Sequence, residues 1–359
     1  MQSSSTKEAR DISIDLIRII ACFMVVMIHT AAYDFDYADP ASSQWMAQNV
    51  YDSFVRSGVP LFFMLSGIVF LQKKTITLSY IWKKILRLLI VYVLFYVFYK
   101  AFEVRHELVQ DPLYLIQAIR WGHYPHYHLW LMLELIAIYV MLPFIHHCAS
   151  SKPELAKYYL SVFFVFTILK TTILKIPGFP DEAAQYINAF VRVQALDYIG
   201  YFVLGWYLNE RIKQGSGCTG RTAILFGVVF IASALIMAFL TRSASIQRGK
   251  PDGRWYDNFA IFTFCEAVSL FSLLKIGFSH ATEFFEKERI RKVIYCISSC
   301  TFFVYLIHPF MIEFAAHFKL TPVRFNLWIS VPLFTLLYWS ASMVPALIVR
   351  KIPRVNKLF

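Results

Sequence analysis

Charge is scarce in this chain. Asp, Glu, Lys and Arg make up only 16% of its 359 residues, while 58% are hydrophobic and the mean hydropathy is +0.53. Soluble domains carry about a quarter charged residues, so the shortage excludes a soluble enzyme and leaves a polytopic membrane protein. Cysteine is sparse too: there are six, with no CxxC pair. Cys22, Cys265, Cys296 and Cys300 lie inside apolar segments, and Cys148 and Cys218 stand beside loops expected in the cytoplasm. No loop expected outside holds a cysteine, so neither a disulfide framework nor a metal site is expected. Internal repeats and low-complexity segments are missing. The first apolar segment lacks a small-residue cleavage site after His29 and contains Asp15 and Arg18, which makes it a retained helix rather than a signal peptide.

What is present is a series of apolar segments long enough to cross a bilayer. Ten spans are predicted, at about 12–32, 52–72, 83–102, 129–147, 158–176, 197–209, 222–241, 257–276, 292–315 and 327–349. The fifth is interrupted by Lys170 and the sixth is short. Asp34–Asn49 reads as a polar, acidic loop, and 177–196 as a loop with room for an interfacial helix. The fold expected is an all-α bundle: a short polar N-terminus over 1–11, one transmembrane domain over 12–350 and a basic C-terminus over 351–359. The net charge of +12 would suggest nucleic acid on a soluble protein. Here it gathers at Lys73–Arg87, Lys287–Lys292 and Arg350–Lys357, which the positive-inside rule explains with both termini cytoplasmic, so no nucleic-acid partner is expected.

Asp11–Thr30 is the segment around which the rest is read. An ionisable group at bilayer depth is costly and marks a functional site by default. Arg18 and His29 are eleven residues apart, close to three turns, so they share a face about 16 Å apart along the axis. Asp15, at i−3 from Arg18, is its orienting partner, and Cys22 fills the same stripe. The topology puts Arg18 and Arg87 toward the cytoplasmic surface, and His29, His128 and His308 toward the outer one. Glu134 and Glu266 lie deeper, on the fourth and eighth spans. Cations inside and imidazoles outside suit an anionic ligand that enters from the cytoplasm and reacts further across. A guanidinium at Arg18 or Arg87 grips phosphate oxygens, and a neutral imidazole at His29 suits removal of a hydroxyl proton.

The outer residues are read as a site for a polar ligand. His128 and Trp130 stand at a helix mouth. Tyr305 and His308 share a face ahead of Pro309, as a second polar contact or as packing at a kink. Arg254 and Trp255, beside Tyr256, form a polar and aromatic patch suited to sugars or to an interfacial anchor. His123, His126 and His128 invite a zinc reading, but no Cys or acidic ligand accompanies them at a recognised spacing, so no metal is expected.

Five stretches in order carry a family resemblance: IDLIRIIACFMVVMIH, SGVPLFFMLSGIVFLQKK, IWKKILRLLIVY, HLWLMLELIAIYVMLP and TFFVYLIHPF. Together they resemble the acyltransferase-3 family of bacterial membrane proteins from residue 12 to about 350. The resemblance implies a multi-pass protein of the bacterial inner membrane that moves an acyl group from cytoplasmic acetyl-CoA to a hydroxyl of an envelope glycan or lipid-linked saccharide. Acetyl-CoA would be a substrate, with no permanently bound cofactor. By the family pattern Arg18 and His29 match the essential pair of the first helix, and Arg87 a donor-side basic residue. Many members place a Glu seven residues after the His of the HLW-like motif; here that position is Leu135, and the carboxylate is Glu134. Whether His29 acts as a base or carries the acyl group stays open. A transporter or flippase is the alternative, since ten helices with buried charges also suit one.

Overall fold

The computed structural model describes residues 11–121, 126–151, 153–190, 197–215 and 219–359. Residues 1–10, and with them most of the predicted N-terminal segment, lie outside the described residues, as do His123 and Cys218. The described residues form sixteen α-helices and no strand. They are α1 (Ile12–Ala31), α2 (Ser43–Val55), α3 (Gly58–Leu71), α4 (Leu78–Glu103), α5 (Arg105–Gln110), α6 (Tyr114–Trp121), α7 (Trp130–Ser151) and α8 (Pro153–Phe163). Then come α9 (Lys170–Ile173), α10 (Asp181–Phe190), α11 (Asp197–Lys213), α12 (Gly220–Arg248), α13 (Ile261–His280), α14 (Thr282–Phe285), α15 (Glu288–His317) and α16 (Leu327–Lys351). Among them nine segments are long and apolar enough to cross a bilayer. The predicted sixth span is α11, at 17 residues. The chain is an all-α, polytopic membrane bundle.

Several boundaries differ from the sequence reading, each for a local reason. The loop expected at Asp34–Asn49 is helical from Ser43, because the Ser42 hydroxyl accepts the Trp45 N–H at 3.1 Å and caps α2. Trp45 is fully buried and holds that helix down. The second span breaks at Arg56–Ser57 into α2 and α3. The fourth helix of the chain starts at Leu78 rather than 83, capped by Thr77, whose hydroxyl accepts the Tyr80 N–H at 3.3 Å. At the fifth span Phe164–Leu169 is a π-turn between α8 and α9, a local underwinding often found at functional sites.

α1 is the centre. It packs against α2, α3, α13, α15 and α16, so most of its length is covered by protein. α4, α8, α12 and α16 leave most of their apolar surface outward, as lipid-facing helices do. α3 and α11 touch backbone to backbone: a Cβ on Gly67 would run into the Phe202 carbonyl, and one on Gly205 into the Met64 backbone. Lipid offers no hydrophobic drive for helix pairing, so close approach through small residues supplies the dispersion contacts that hold such pairs. This contact locks α3 in rotation and thereby aims its other face at α1.

Candidate functional site

The Arg18 end of α1 opens on a cavity of about 360 Å3. Arg18, Lys84 and Arg87 line it from α1 and α4, with Tyr80, Tyr139 and Ser298 as further polar groups and Leu131 and Leu135 from α7. Asp11 caps the helix that carries Arg18 through the Ser13 N–H at 3.0 Å. Arg18 donates to Asp15 at 3.3 Å and to the Ser298 hydroxyl at 3.3 Å, while Ser298 donates to Asp15 at 2.6 Å. Asp15 is buried, and Arg18 keeps about a quarter of its side chain exposed. The carboxylate therefore orients the guanidinium instead of hiding it. Arg87 donates through Nε to the Leu358 carbonyl at 2.9 Å and through Nη2 to the Phe359 carbonyl at 2.5 Å. Phe359 itself lines the cavity and packs edge-on to Phe303 and Phe95.

The His29 end holds four histidines from three parts of the chain. His29 is half-buried and stacks on His308 with ring centroids 5.1 Å apart. Its ring also meets Tyr127 at 4.9 Å, and among the described residues it makes no hydrogen bond. His308 is fully buried. Pro309 follows it and has no N–H, so the Tyr305 carbonyl lacks its ordinary helical donor. His308 Nδ1 takes that place, donating to Tyr305 O at 2.7 Å. The tautomer follows from the bond pattern: Nδ1 carries the proton, and Nε2, buried without a partner among the described residues, presents a lone pair.

His128 is settled the same way. Its Nε2 donates to the Leu306 carbonyl at 3.2 Å, so its Nδ1 accepts from His126 Nδ1 at 2.9 Å. His126 Nε2 lies 2.8 Å from Glu313 Oε1, which leaves one shared proton between that imidazole and that carboxyl. Glu313 is partly exposed, so this edge of the cluster reaches solvent.

Tyr305 joins the two ends. It lines the cavity that holds Arg18 and Arg87, and its hydroxyl donates to the His128 carbonyl. Its ring packs 5.7 Å from His128 and 5.9 Å from His308.

Other predicted residues fall elsewhere. Glu134 faces a second cavity of about 320 Å3 with Asp197 and Tyr198. Leu135, one residue on, faces the Arg18 cavity at the position where the family pattern has its Glu. Trp130 packs on Tyr198 at 5.3 Å. Trp255 is buried against Phe262 in a cluster with Phe35, Trp45 and Tyr256. Arg254 is held by Asp252 through Nε at 2.9 Å and Nη2 at 2.6 Å. Burial alone would raise the Asp252 carboxyl, but hydrogen bonds from Arg254 and Arg248 hold it down at about 2. Glu266 is fully buried, and its carboxyl faces the Ser57 N–H at the start of α3 without a hydrogen bond of good geometry.

Sequence reasoning passed over His126 as a site residue once zinc was set aside, and passed over Tyr99, Glu313 and Arg56. Tyr99 stacks on His126 at 4.1 Å and donates to Leu306 O at 2.8 Å. Arg56 had a visible signal: with Asp52 at i−4 it forms a charge pair inside an apolar span. Among the described residues no group of His, Cys, Asp and Glu has the arrangement of a metal site.

A family model described as an acyltransferase domain matches residues 11–350. No curated protein and no solved structure matches the chain.

Proposed function

The chain belongs to the acyltransferase-domain family, and on that premise we propose that it moves an acyl group from cytoplasmic acetyl-CoA to a hydroxyl of a cell-envelope glycan or lipid-linked saccharide. The protein is a membrane acyltransferase; the donor, the acceptor and a place in the bacterial inner membrane with both termini cytoplasmic are the proposal. The observation that carries it is the continuity through Tyr305 from a cationic cavity to a histidine cluster in which the proton positions of His128 and His308 are fixed. Around GRWYDNFAIF the chain resembles the O-acetyltransferase of enterobacterial common antigen, which favours acetyl transfer to oxygen.

Arg18 and Arg87 bind the phosphates of the donor, since two guanidiniums on facing helices offer forked donors at one cavity. The acyl thioester extends past Tyr305 toward His29. The acceptor hydroxyl arrives from the other side, near His128 and His308. His29 takes the hydroxyl proton as the oxygen attacks the thioester carbon. The carbon–sulfur bond then breaks, and the proton passes to the leaving thiolate, so ester and free coenzyme A are the products. His308, with a bare Nε2 stacked on His29, keeps that ring from turning away.

Purified protein in proteoliposomes, supplied with labelled acetyl-CoA and an envelope-glycan extract, tests this. Label should enter the glycan. Accumulation of glycan or an anionic solute in the vesicles without acylation would replace the enzyme with a transporter. Mass spectrometry of envelope glycans from deletion and complemented cells should then show the acylated hydroxyl.

A further inference from the structure

One cation near the histidines has no task in the mechanism above. Arg56 ends α2, immediately before the Ser57 that starts α3. Its Nη2 is paired with the carboxylate of Asp52, one helical turn earlier and almost fully buried. Its guanidinium lies over the ring of Tyr256, 4.2 Å from the centroid. Tyr256 is in turn pinned by its hydroxyl, which donates to Asn49 Oδ1 at 2.5 Å. Two sides of the guanidinium are thus fixed before any ligand arrives. The third is not: the Nε–H is buried and, among the described residues, meets no acceptor. The α2–α3 joint on which Arg56 stands packs on α1 one turn from His29: a Cβ on Gly58, two residues on, would lie 3.4 Å from Val25 Cγ2.

Acyl transfer places negative charge on the thioester carbonyl oxygen while the tetrahedral centre exists. The largest rate effects come from rigid donors aimed at that oxygen in a site closed to water. Arg18 does not serve it, because eleven residues of helix hold Arg18 about 16 Å from His29 along the axis. Arg87 is on the same cavity as Arg18. We infer that Arg56 is the oxyanion donor: its Nε–H receives the carbonyl oxygen of the acyl thioester as His29 takes the acceptor's proton. The inference rests on the acyltransferase reading and adds a catalytic residue to it. In the balanced step the acceptor O–H bond breaks toward His29 and the new carbon–oxygen bond forms. The carbonyl π pair moves onto oxygen against Arg56, then returns as the carbon–sulfur bond breaks and the thiolate takes the proton. Asp52 and Tyr256 are positioning residues, because they hold the guanidinium and do not meet the acyl group.

The test compares wild type, Arg56→Gln and Arg56→Lys in nanodiscs with labelled acetyl-CoA and envelope-glycan extract. kcat and KM come from label transfer, and coenzyme A affinity from calorimetry. Arg56→Gln should lower kcat about 10²- to 10³-fold, the loss typical of one oxyanion donor, with coenzyme A affinity unchanged. Arg56→Lys keeps the charge but lacks the planar fork, and should fall between. Wild-type kcat in Arg56→Gln, or a loss that appears only as weaker coenzyme A binding, overturns the inference. If Arg56→Gln fails to bind coenzyme A at all, Arg56→Lys decides, and normal kcat or absent binding there assigns Arg56 to the architecture. A wild-type protein that transfers no label refutes the acyltransferase reading instead.

Discussion

At the Arg18 end of α1, cations line a cavity of about 360 Å3, and their partners leave part of each guanidinium open. At the His29 end, imidazoles are packed ring on ring, and carbonyls of α15 decide which nitrogen carries the proton of His308 and of His128. The difference matches two physical tasks. Gripping an anion needs charge and room, because Coulomb attraction tolerates an ångström of play. Moving a proton needs fixed tautomers and distances near 3 Å, because proton transfer does not tolerate it. One helix carries both tasks because its period returns to the same face after eleven residues.

The sharpest way to break the comparison is His29→Gln, which keeps hydrogen bonding but takes no proton at neutral pH. Transfer should fall about 10²- to 10⁴-fold while coenzyme A binding holds. Label transfer beside calorimetry checks it, and near-normal transfer would return His29 to a packing role. Next, Arg18→Lys attacks the other end alone. Losing charge-assisted bonds worth about 1.5–3 kcal/mol should weaken coenzyme A binding at least tenfold, with the protein still inserted. Equal affinity would remove Arg18 from the donor site.

Pro309→Ala asks whether proton placement at the His29 end matters as argued. The new N–H competes for the Tyr305 carbonyl and frees His308 to turn or change tautomer. We predict a fall in kcat of about tenfold, near 1.4 kcal/mol, with KM for acetyl-CoA held. An unchanged kcat would show that His308 need not be fixed. The smallest effect is expected at Phe359→Ala. The Leu358 and Phe359 carbonyls occupy Arg87, and the Phe359 ring anchors them against Phe303. Loosening that anchor should tighten coenzyme A binding about threefold, near 0.7 kcal/mol. Weaker binding would instead make Phe359 part of the donor's own contact surface.

Much of the bundle was legible because apolar composition is a property of each segment alone. The spans at α1, α7, α11, α15 and α16 lie close to where hydropathy puts them. The errors came where local hydrogen bonds outvote hydropathy, as at the Ser42 cap that extends α2 through an acidic, loop-like stretch. The alignment of Arg18 with His29 needed only the helical period. The family pattern offered Glu134 as a substitute for the missing Glu, but one residue is about 100° of helical rotation. That rotation sends Glu134 to a separate cavity with Asp197, while Leu135 faces Arg18.

By itself, then, the sequence determined which segments enter the membrane and which polar residues each carries, since those follow from composition and period. Tertiary structure alone decided which of them meet. His29, His126 and His308 come together only because α1, the segment before α7, and α15 pack at one level. Arg56, at the α2–α3 break, meets Tyr256, two hundred residues on, which covers its face. Such meetings depend on the rotation of each helix about its own axis. Contacts like Gly67 against Phe202 set that rotation, and no single segment encodes the surface it will be pressed against.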